Sequence, residues 1–339
     1  MKYDYAVVIG RFQPFHLAHK QLIEKALGIA DRVIIILGSH AAAITSKNPW
    51  TSQERSQMIL SSLSEAQADR VQFVPVRDNL YNENAWLAEI QQKVKMILGS
   101  WGSGAKKTFV LVGHVKDDSS YYLKTFPQWH FEEVKTRLNL NATDIRHTLF
   151  TSENMENLKN VAPGVMNFLI KWMETPEYLR LKEEYLYLLD YKKKWSVAPY
   201  PVTFVTADAV LTMAGHVLVV KRGGNPGKGQ YALPGGFVNQ GEAIFDSCLR
   251  ELKEETKIKV SDMPKYLKDS KVFDHPQRSL RGRTITHAYH FELPFASFPE
   301  VKGADDAEEA FWMPISEVYS SEMAFFEDHR DIILYFLGR

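Results

Sequence analysis

The sequence predicts an α/β protein in two parts, a helix-covered parallel sheet followed by an α+β domain. Three observations carry this. Four short apolar runs rich in β-branched residues, at 5–9 (YAVVI), 32–37 (RVIIIL), 71–76 (VQFVPV) and 108–112 (TFVLV), alternate with helical patterns at about 18–30, 52–66 and 83–98. Near-continuous apolar strands separated by helices are the pattern of a sheet buried on both faces. After residue 200 the order changes: strands recur at 202–211, 216–222, 270–274 and 285–293 around one strong helix at about 242–256. The length, 339 residues, suits two domains.

Taken in order, the first strand ends in Gly10, and the helix after it opens with His16 and His19. The second helix carries its own start signal, a T-x-x-E capping box at Thr51 and Glu54 following Pro49. From 141 onward the pattern is helical, punctuated by Pro163, Pro176 and Pro199. Residues 177–195 (EYLRLKEEYLYLLDYKKKW) read as one amphipathic helix whose basic end, Lys192–Lys194, complements the helix dipole. PYPVTF at 199–204 then leads into the second domain. These signals place a first domain at 1–183, a linker at 184–200 and a second domain at 201–339.

Composition narrows the function classes. Charged residues make up 24% and cancel to zero, so binding of nucleic acid or membranes through net charge is not expected, and any anion site must be local. A lone cysteine, Cys248, allows no intramolecular disulfide and suits a reducing cytosol. The N-terminus lacks the apolar core of a signal peptide, and no apolar run reaches transmembrane length. The expectation is a soluble cytoplasmic protein.

The first constellation is GRFQPFHLAH at 10–19. A strand ending in glycine at its C-terminal edge is where open α/β sheets bind ligands, and a helix N-terminus attracts anions. His16 and His19 share a helical face there, and with Arg11 they can surround a phosphate. The alternative is a pair of ordinary surface or capping histidines. The stretch resembles the H-x-G-H signature of the nucleotidyltransferase α/β phosphodiesterase superfamily, with Ala18 in place of its glycine. KNPWTSQER at 47–55, DNLYNENAW at 78–86 and GHVKDDSSYYLKTFPQW at 113–129 resemble segments of archaeal-type nicotinamide mononucleotide adenylyltransferases. NATDIR at 141–146 is similar to that family's I-S-G-T-x-I-R motif, keeping Thr143, Ile145 and Arg146. The likeness spans about 1–183 and implies a Rossmann-like nucleotidyltransferase fold, with ATP and nicotinamide mononucleotide as substrates and NAD as product.

Adenylyl transfer needs two anions brought together and charge stabilised on the α-phosphorus and the leaving pyrophosphate. Arg11, His16, His19, Lys47 and Arg146 are therefore the phosphate-facing candidates, with Gly10 and Gly113 at strand ends and Mg²⁺ on the leaving group. Thr143 can cap a helix pointing at phosphates. The resemblance implies Trp86 stacking on nicotinamide with Asp78 and Asn84 nearby; the alternative for Trp86 is a core aromatic. Arg55 is expected at the substrate, or else paired with an acidic group on a helix surface.

The second constellation is GFVNQGEAIFDSCLRELKEETKI at 236–258. It resembles the Nudix box, G-x5-E-x7-R-E-U-x-E-E-x-G-U, at every charged position, with Lys257 where the pattern has a helix-capping glycine. Glu251, Glu254 and Glu255 stand at i, i+3 and i+4, so one helix face carries three carboxylates that repel unless a cation sits among them. Hard oxygen ligands select Mg²⁺ or Mn²⁺, and Gly236 lets the backbone approach the metal. Metal-assisted attack of water on a diphosphate follows. Glu308 or Glu309, on a loop before a strand, are candidates for the base, with a solvated acidic loop as the alternative. HPQRSLRGRTITHAYHF at 275–291 resembles a segment of ADP-ribose pyrophosphatase relatives, which points to ADP-ribose and makes Arg281 and Arg283 phosphate candidates, or else exposed strand-end charges. Arg222 and Lys221 are similar cases.

The order of the two domains resembles a family of fused bacterial proteins. It implies a bifunctional enzyme of NAD metabolism, with assembly into homo-oligomers common in the adenylyltransferase class. Two other readings stay open: a different nucleotidyltransferase joined to a Nudix domain acting on NADH or oxidised nucleotides, and a Nudix domain that senses a ligand without hydrolysing it.

Overall fold

The computed structural model describes residues 2–100, 107–115, 123–135, 140–152, 158–259, 261–294, 297–320 and 323–338. Contacts divide the chain into two units, Met1–Lys182 and Glu183–Arg339. Each unit is described by itself.

In the first unit, the elements run β1 (Tyr3–Gly10), α1 (Leu17–Ile29), β2 (Ala30–Leu37), α2 (Ser52–Leu60), α3 (Glu65–Ala68), β3 (Val71–Pro75), α4 (Glu83–Ser100), β4 (Phe109–Gly113), β5 (His130–Glu133), α5 (Ala142–Thr151) and α6 (Pro163–Trp172). The strands form a parallel sheet in the order β3-β2-β1-β4-β5. Ala6, Val7 and Val8 of β1 and Val33, Ile34, Ile35 and Ile36 of β2 are fully buried, as a sheet covered on both faces requires. Successive strands leave β1 first toward β2 and later toward β4. That reversal opens a crevice beyond the C-terminal ends of β1 and β4, where doubly wound sheets hold ligands. β5 reads HFEE and is mostly exposed, so it gave no apolar signal in the sequence.

A helix α7 (Pro176–Trp195) carries the division between the units. The stretch expected as linker is thus helical up to Trp195.

The second unit continues with β6 (Thr203–Met213), β7 (His216–Arg222), β8 (Tyr231–Ala232), β9 (Gly235–Phe237), α8 (Ile244–Thr256), β10 (Leu267–Phe273), β11 (Arg283–Glu292), β12 (Ala307–Pro314), α9 (Ile315–Val318) and α10 (His329–Phe336). The sheet is mixed, ordered β10-β11-β6-β7-β12, with β8 on β7 and β9 on β6. Of these strand pairs, β11 with β6 is parallel and the others are antiparallel. α8 buries Cys248 and Leu252 against Ala207, Ala209 and Leu211 of β6 and Tyr289 and Phe291 of β11. This fixes the acidic face of α8 beside β9. Lys257 ends α8 in the left-handed conformation, φ 60°, that a glycine would take without penalty; its N–H bonds Lys253 O and its Nζ donates to Glu254 O at 2.9 Å.

Candidate active sites

At the end of β1 the chain turns through Phe12, φ 53°, and the Phe12 ring folds back over Gly10. A Cβ at Gly10 would lie 2.8 Å from that ring, so only glycine permits the fold-back. The Phe12 ring then meets the His19 ring edge-on at 4.9 Å. His16 is the N-cap of α1: its side chain accepts from His19 N–H, and the His19 side chain accepts from His16 N–H, both at 3.4 Å. The two imidazoles stack with centroids 3.5 Å apart. The capping reading of the pair therefore holds, and the capped helix starts beyond the C-terminal end of β1, where a ligand is expected. Burial, reinforced by the neighbouring His16, holds His19 well below the usual histidine range, so it is neutral at physiological pH.

Arg146 of α5 reaches the same loop. It is buried, donating to Gln13 O at 2.5 Å and to Thr143 Oγ1 at 3.2 Å. Gln13 in turn brackets Trp50, accepting from its N–H at 3.1 Å and donating to its carbonyl at 2.8 Å. The expected cap on α5 is corrected: Asn141 is the N-cap, accepting from Thr143 N–H at 2.9 Å, and Thr143 lies inside the first turn. Arg11 is exposed at the crevice and Lys47 is half-buried.

Arg55 is placed differently from either expectation. It is fully buried and donates to Arg11 O at 2.6 Å, Gly38 O at 2.7 Å, Thr51 O at 3.2 Å and Ser52 Oγ at 3.2 Å. It clamps the main chain beyond β1 and β2 together through carbonyls and a hydroxyl. Desolvation lowers its pKa to about 10. Asp78 is exposed and holds Ser39 through its N–H (3.0 Å) and hydroxyl (2.5 Å); its Oδ1 and the Arg11 Cγ flank Gly38. Trp86 packs against the sheet core beside Phe126, 6.2 Å between centroids, and keeps part of its ring exposed. Asn84 is exposed and Gly113 ends β4. Residues 116–122 of the 113–129 segment lie outside the described residues.

In the second unit the site is built on β9 and α8. A Cβ on Gly236 would sit 2.3 Å from Glu251 Oε1, so glycine alone lets the carboxylate lie against the strand. Gly235 N–H donates to Glu255 Oε2 at 3.0 Å. Arg250 ties the rest: it pairs at 2.8 Å with each of Glu242, Glu251 and Glu254 and donates to Phe237 O at 3.1 Å. Burial pushes Glu255 up to about 8, with Glu251 adding to the shift, and it also raises Glu251. Glu254 faces outward, onto a hollow of about 340 Å³ lined also by Leu249, Lys253 and Lys257.

These residues fit a hard divalent cation. Among the described residues no three His, Cys, Asp or Glu side chains form a ready-made cage. Mg²⁺ does not need one, since it keeps several waters and takes one or two carboxylates. Glu251 and Glu255 flank the Gly235–Gly236 strand, both are partly or largely desolvated, and their anionic forms disfavour each other. A cation relieves that penalty.

Two acidic placements differ from the sequence reading. Glu308 and Glu309 are in β12 itself, not on a loop before it, and Glu308 pairs with Lys221 of β7 at 3.6 Å. Arg283 opens β11 and is occupied by Asp274, through its carbonyl and its carboxylate at 3.6 Å, which favours the strand-end reading. Arg281 lies inward, over Phe237 at 5.0 Å and Phe326 at 5.6 Å. Arg222 covers the same Phe326 ring at 4.1 Å. Sequence reasoning missed Asp208, Arg278, Glu327 and Asp328, which are buried together behind the metal face. Asp208 offered a signal, a carboxylate inside an otherwise apolar strand; burial raises its pKa to about 6.

Comparison with known proteins matches each unit to its own family. Residues 7–159 match the Cytidylyltransferase-like family and residues 202–336 the NUDIX domain family. A crystal structure described as a bifunctional NMN adenylyltransferase/ADP ribose pyrophosphatase complexed with AMP and Mn ion, from Francisella tularensis, is 36% identical, superposes with a TM-score of 0.92 and covers 99% of each chain. The chain belongs to this bifunctional family. Its halves also match separately. A nicotinamide/nicotinic acid mononucleotide adenylyltransferase from Acinetobacter baylyi is 37% identical over 54% of this chain and 94% of its own. An ADP-ribose pyrophosphatase from Methanocaldococcus jannaschii is 34% identical over 42% of this chain and 76% of its own. Among the described residues no helix is long and apolar enough to cross a membrane.

Proposed function

We propose that the first unit transfers the adenylyl group of ATP to nicotinamide mononucleotide, giving NAD and pyrophosphate, and that the second hydrolyses ADP-ribose to AMP and ribose 5-phosphate. What supports the reading is that one chain carries both sets of candidate residues and is similar end to end to a bifunctional relative.

In the first unit, the Nε2–H groups of His16 and His19, with Arg11, Lys47 and Arg146, take the triphosphate and the attacking phosphate. The reaction needs no covalent intermediate, so holding two anions in line and stabilising the departing charge is the whole task. Arg55 keeps the two main-chain walls at fixed separation. Asp78, Asn84 and the exposed part of Trp86 receive the nicotinamide end.

In the second unit, Glu251, Glu254, Glu255 and the Gly236 backbone would hold Mg²⁺, with Mn²⁺ able to substitute. The cation supplies charge neutralisation on the diphosphate and a more acidic water. Arg250 orients the carboxylates, and the Gly235 N–H fixes Glu255. Arg281 binds phosphate, and Glu308 is the residue to test as base.

The test is a two-part assay with Mg²⁺: NAD formation from ATP and nicotinamide mononucleotide, and AMP release from ADP-ribose, for wild type, His19→Ala and Glu255→Gln. Each variant should abolish one activity and spare the other. NAD formation with ADP-ribose left intact would refute the hydrolase substrate, and a Glu255→Gln variant with full turnover would refute the metal assignment.

A further inference from the structure

Behind the metal face, one carboxylate stands in an arrangement that folding alone does not explain. Glu327 has a left-handed backbone, φ 45°, unfavourable for any residue with a Cβ. Its side chain is 6% exposed. Oε1 accepts from Ser279 Oγ at 2.5 Å and Leu280 N–H at 3.3 Å. Oε2 is buried without a hydrogen-bond partner among the described residues; Arg281 lies 3.6 Å away, close enough to pair in charge but too far to donate. Strain and an unmet acceptor at one residue mark a site poised for something outside the fold.

Its surroundings say what that something is. Arg222 and Arg281 share the face of Phe326 and repel each other. Glu327 and Glu255 both lie within the electrostatic reach of Arg222. Both arginines thus lie near the metal face and Glu327 alike, Arg222 within reach of Glu255 and Glu327, and Arg281 over Phe237 of β9 and 3.6 Å from Glu327. A diphosphate bridging the cation and the two arginines would relieve the repulsion and draw Arg281 toward phosphate. The group next along such a substrate is a ribose, and an ionised carboxylate oxygen accepts from a hydroxyl.

We propose that Glu327 Oε2 accepts a hydrogen bond from a hydroxyl of a ribose joined to the diphosphate, making Glu327 a specificity residue for the sugar. This rests on the hydrolase reading above. Either ribose of ADP-ribose offers this chemistry, and the experiment separates them.

Steady-state kcat/KM is measured on wild type, Glu327→Ala and Glu327→Gln with three substrates: ADP-ribose, an analogue lacking the two hydroxyls of the adenosine ribose, and one lacking all three hydroxyls of the terminal ribose. Wild type should prefer ADP-ribose over one analogue by about 10- to 100-fold, the range for a hydrogen bond to a charged group. Glu327→Ala should lose that factor on ADP-ribose and leave the same analogue nearly unchanged, so that selectivity collapses. Glu327→Gln keeps the shape and the Ser279 contact, and its selectivity should fall at least about fivefold even where the alanine variant does not fold. The analogue that wild type rejects identifies the ribose. An equal loss on all three substrates would reduce Glu327 to a support for the Ser279–Leu280 turn and overturn the proposal, as would wild type accepting both analogues equally. Wild type releasing no AMP from ADP-ribose would instead overturn the hydrolase reading, and this inference with it.

Discussion

Replacing Asp328 by alanine should unfold the second unit well before the first loses its structure. Arg278 and Asp328 form a two-pronged pair, with Nε and NH2 each 2.8 Å from a carboxylate oxygen, and their side chains are 2% and 0% exposed. Removing one partner from a buried pair costs about 3–5 kcal/mol, because the remaining charge is desolvated and unmatched. Here Asp208 and Glu327 also lie near the Arg278 guanidinium, so part of its charge stays balanced, and the lower end, about 3 kcal/mol, is expected. For a unit of this size that is a fall of about 6–12 °C in melting temperature. Calorimetry of the full chain, alongside the temperature at which ADP-ribose hydrolysis is lost, reads it directly. Replacing both partners, Arg278→Met with Asp328→Leu, should recover most of the loss, since the cost lies in the orphaned charge and not in the missing attraction. An Asp328→Ala protein melting within about 2 °C of wild type would refute the reasoning, because it would mean the pair is hydrated in solution.

Gly236→Ala should cut hydrolysis about 100-fold while NAD formation persists, because the new methyl lands 2.3 Å from Glu251 Oε1 and moves it off the cation; assaying both activities checks this. Arg55→Met should destabilise the first unit by about 2–4 kcal/mol in denaturant, since the buried carbonyls of Arg11 and Gly38 lose their donor. Glu255 sets a pH dependence in metal-free protein. Its folded pKa of about 8 stands above its ordinary 4.5, so between these values the folded state keeps a proton that the unfolded state has lost. Stability without metal should therefore fall as pH rises from about 4.5 to about 8 and level off above, and Glu255→Gln should flatten that slope in melts with chelator. Matching slopes for the two proteins would contradict it.

Much of the fold was legible because its central strands are buried on both faces: YAVVI and RVIIIL admit little else. Of the strands that escaped, β8 and β9 are only two and three residues long and β5 is a sheet edge, while the edge strand β12 begins earlier than the sequence suggested. An edge strand protects itself with charge, so HFEE and AEEAFWMP carry acidic residues where a central strand carries valine, and Glu308 and Glu309 read as loop for that reason. Local motifs singled out His16, His19, Arg146 and the acidic face of α8 as candidates, and the fold sets the first three around one loop. They gave no account of Arg55, whose partners, Arg11 and Gly38, lie 44 and 17 residues away. Nor did they reveal the group around Asp208, which comes together only when β6, the Arg278 loop and the start of α10 meet. The helix cap at Asn141 and not Thr143 was a matter of which residue leaves the helical backbone, and both residue types are good caps.

The reciprocal capping of His16 and His19 has a consequence for how the adenylyltransferase site meets its substrate. Each Nδ1 already accepts a main-chain N–H, so each ring must carry its single proton on Nε2. The tautomers are thus written into the helix start. In the proposed site the pair would therefore offer ATP two oriented donors with no positive charge on His19, leaving cationic attraction to Arg11, Arg146 and Lys47. Dipoles hold a phosphate chain in place but bind its free pyrophosphate less tenaciously than fixed charges would. A site built this way would position strongly and release easily, and burial, with His16 beside it, keeps His19 neutral at physiological pH.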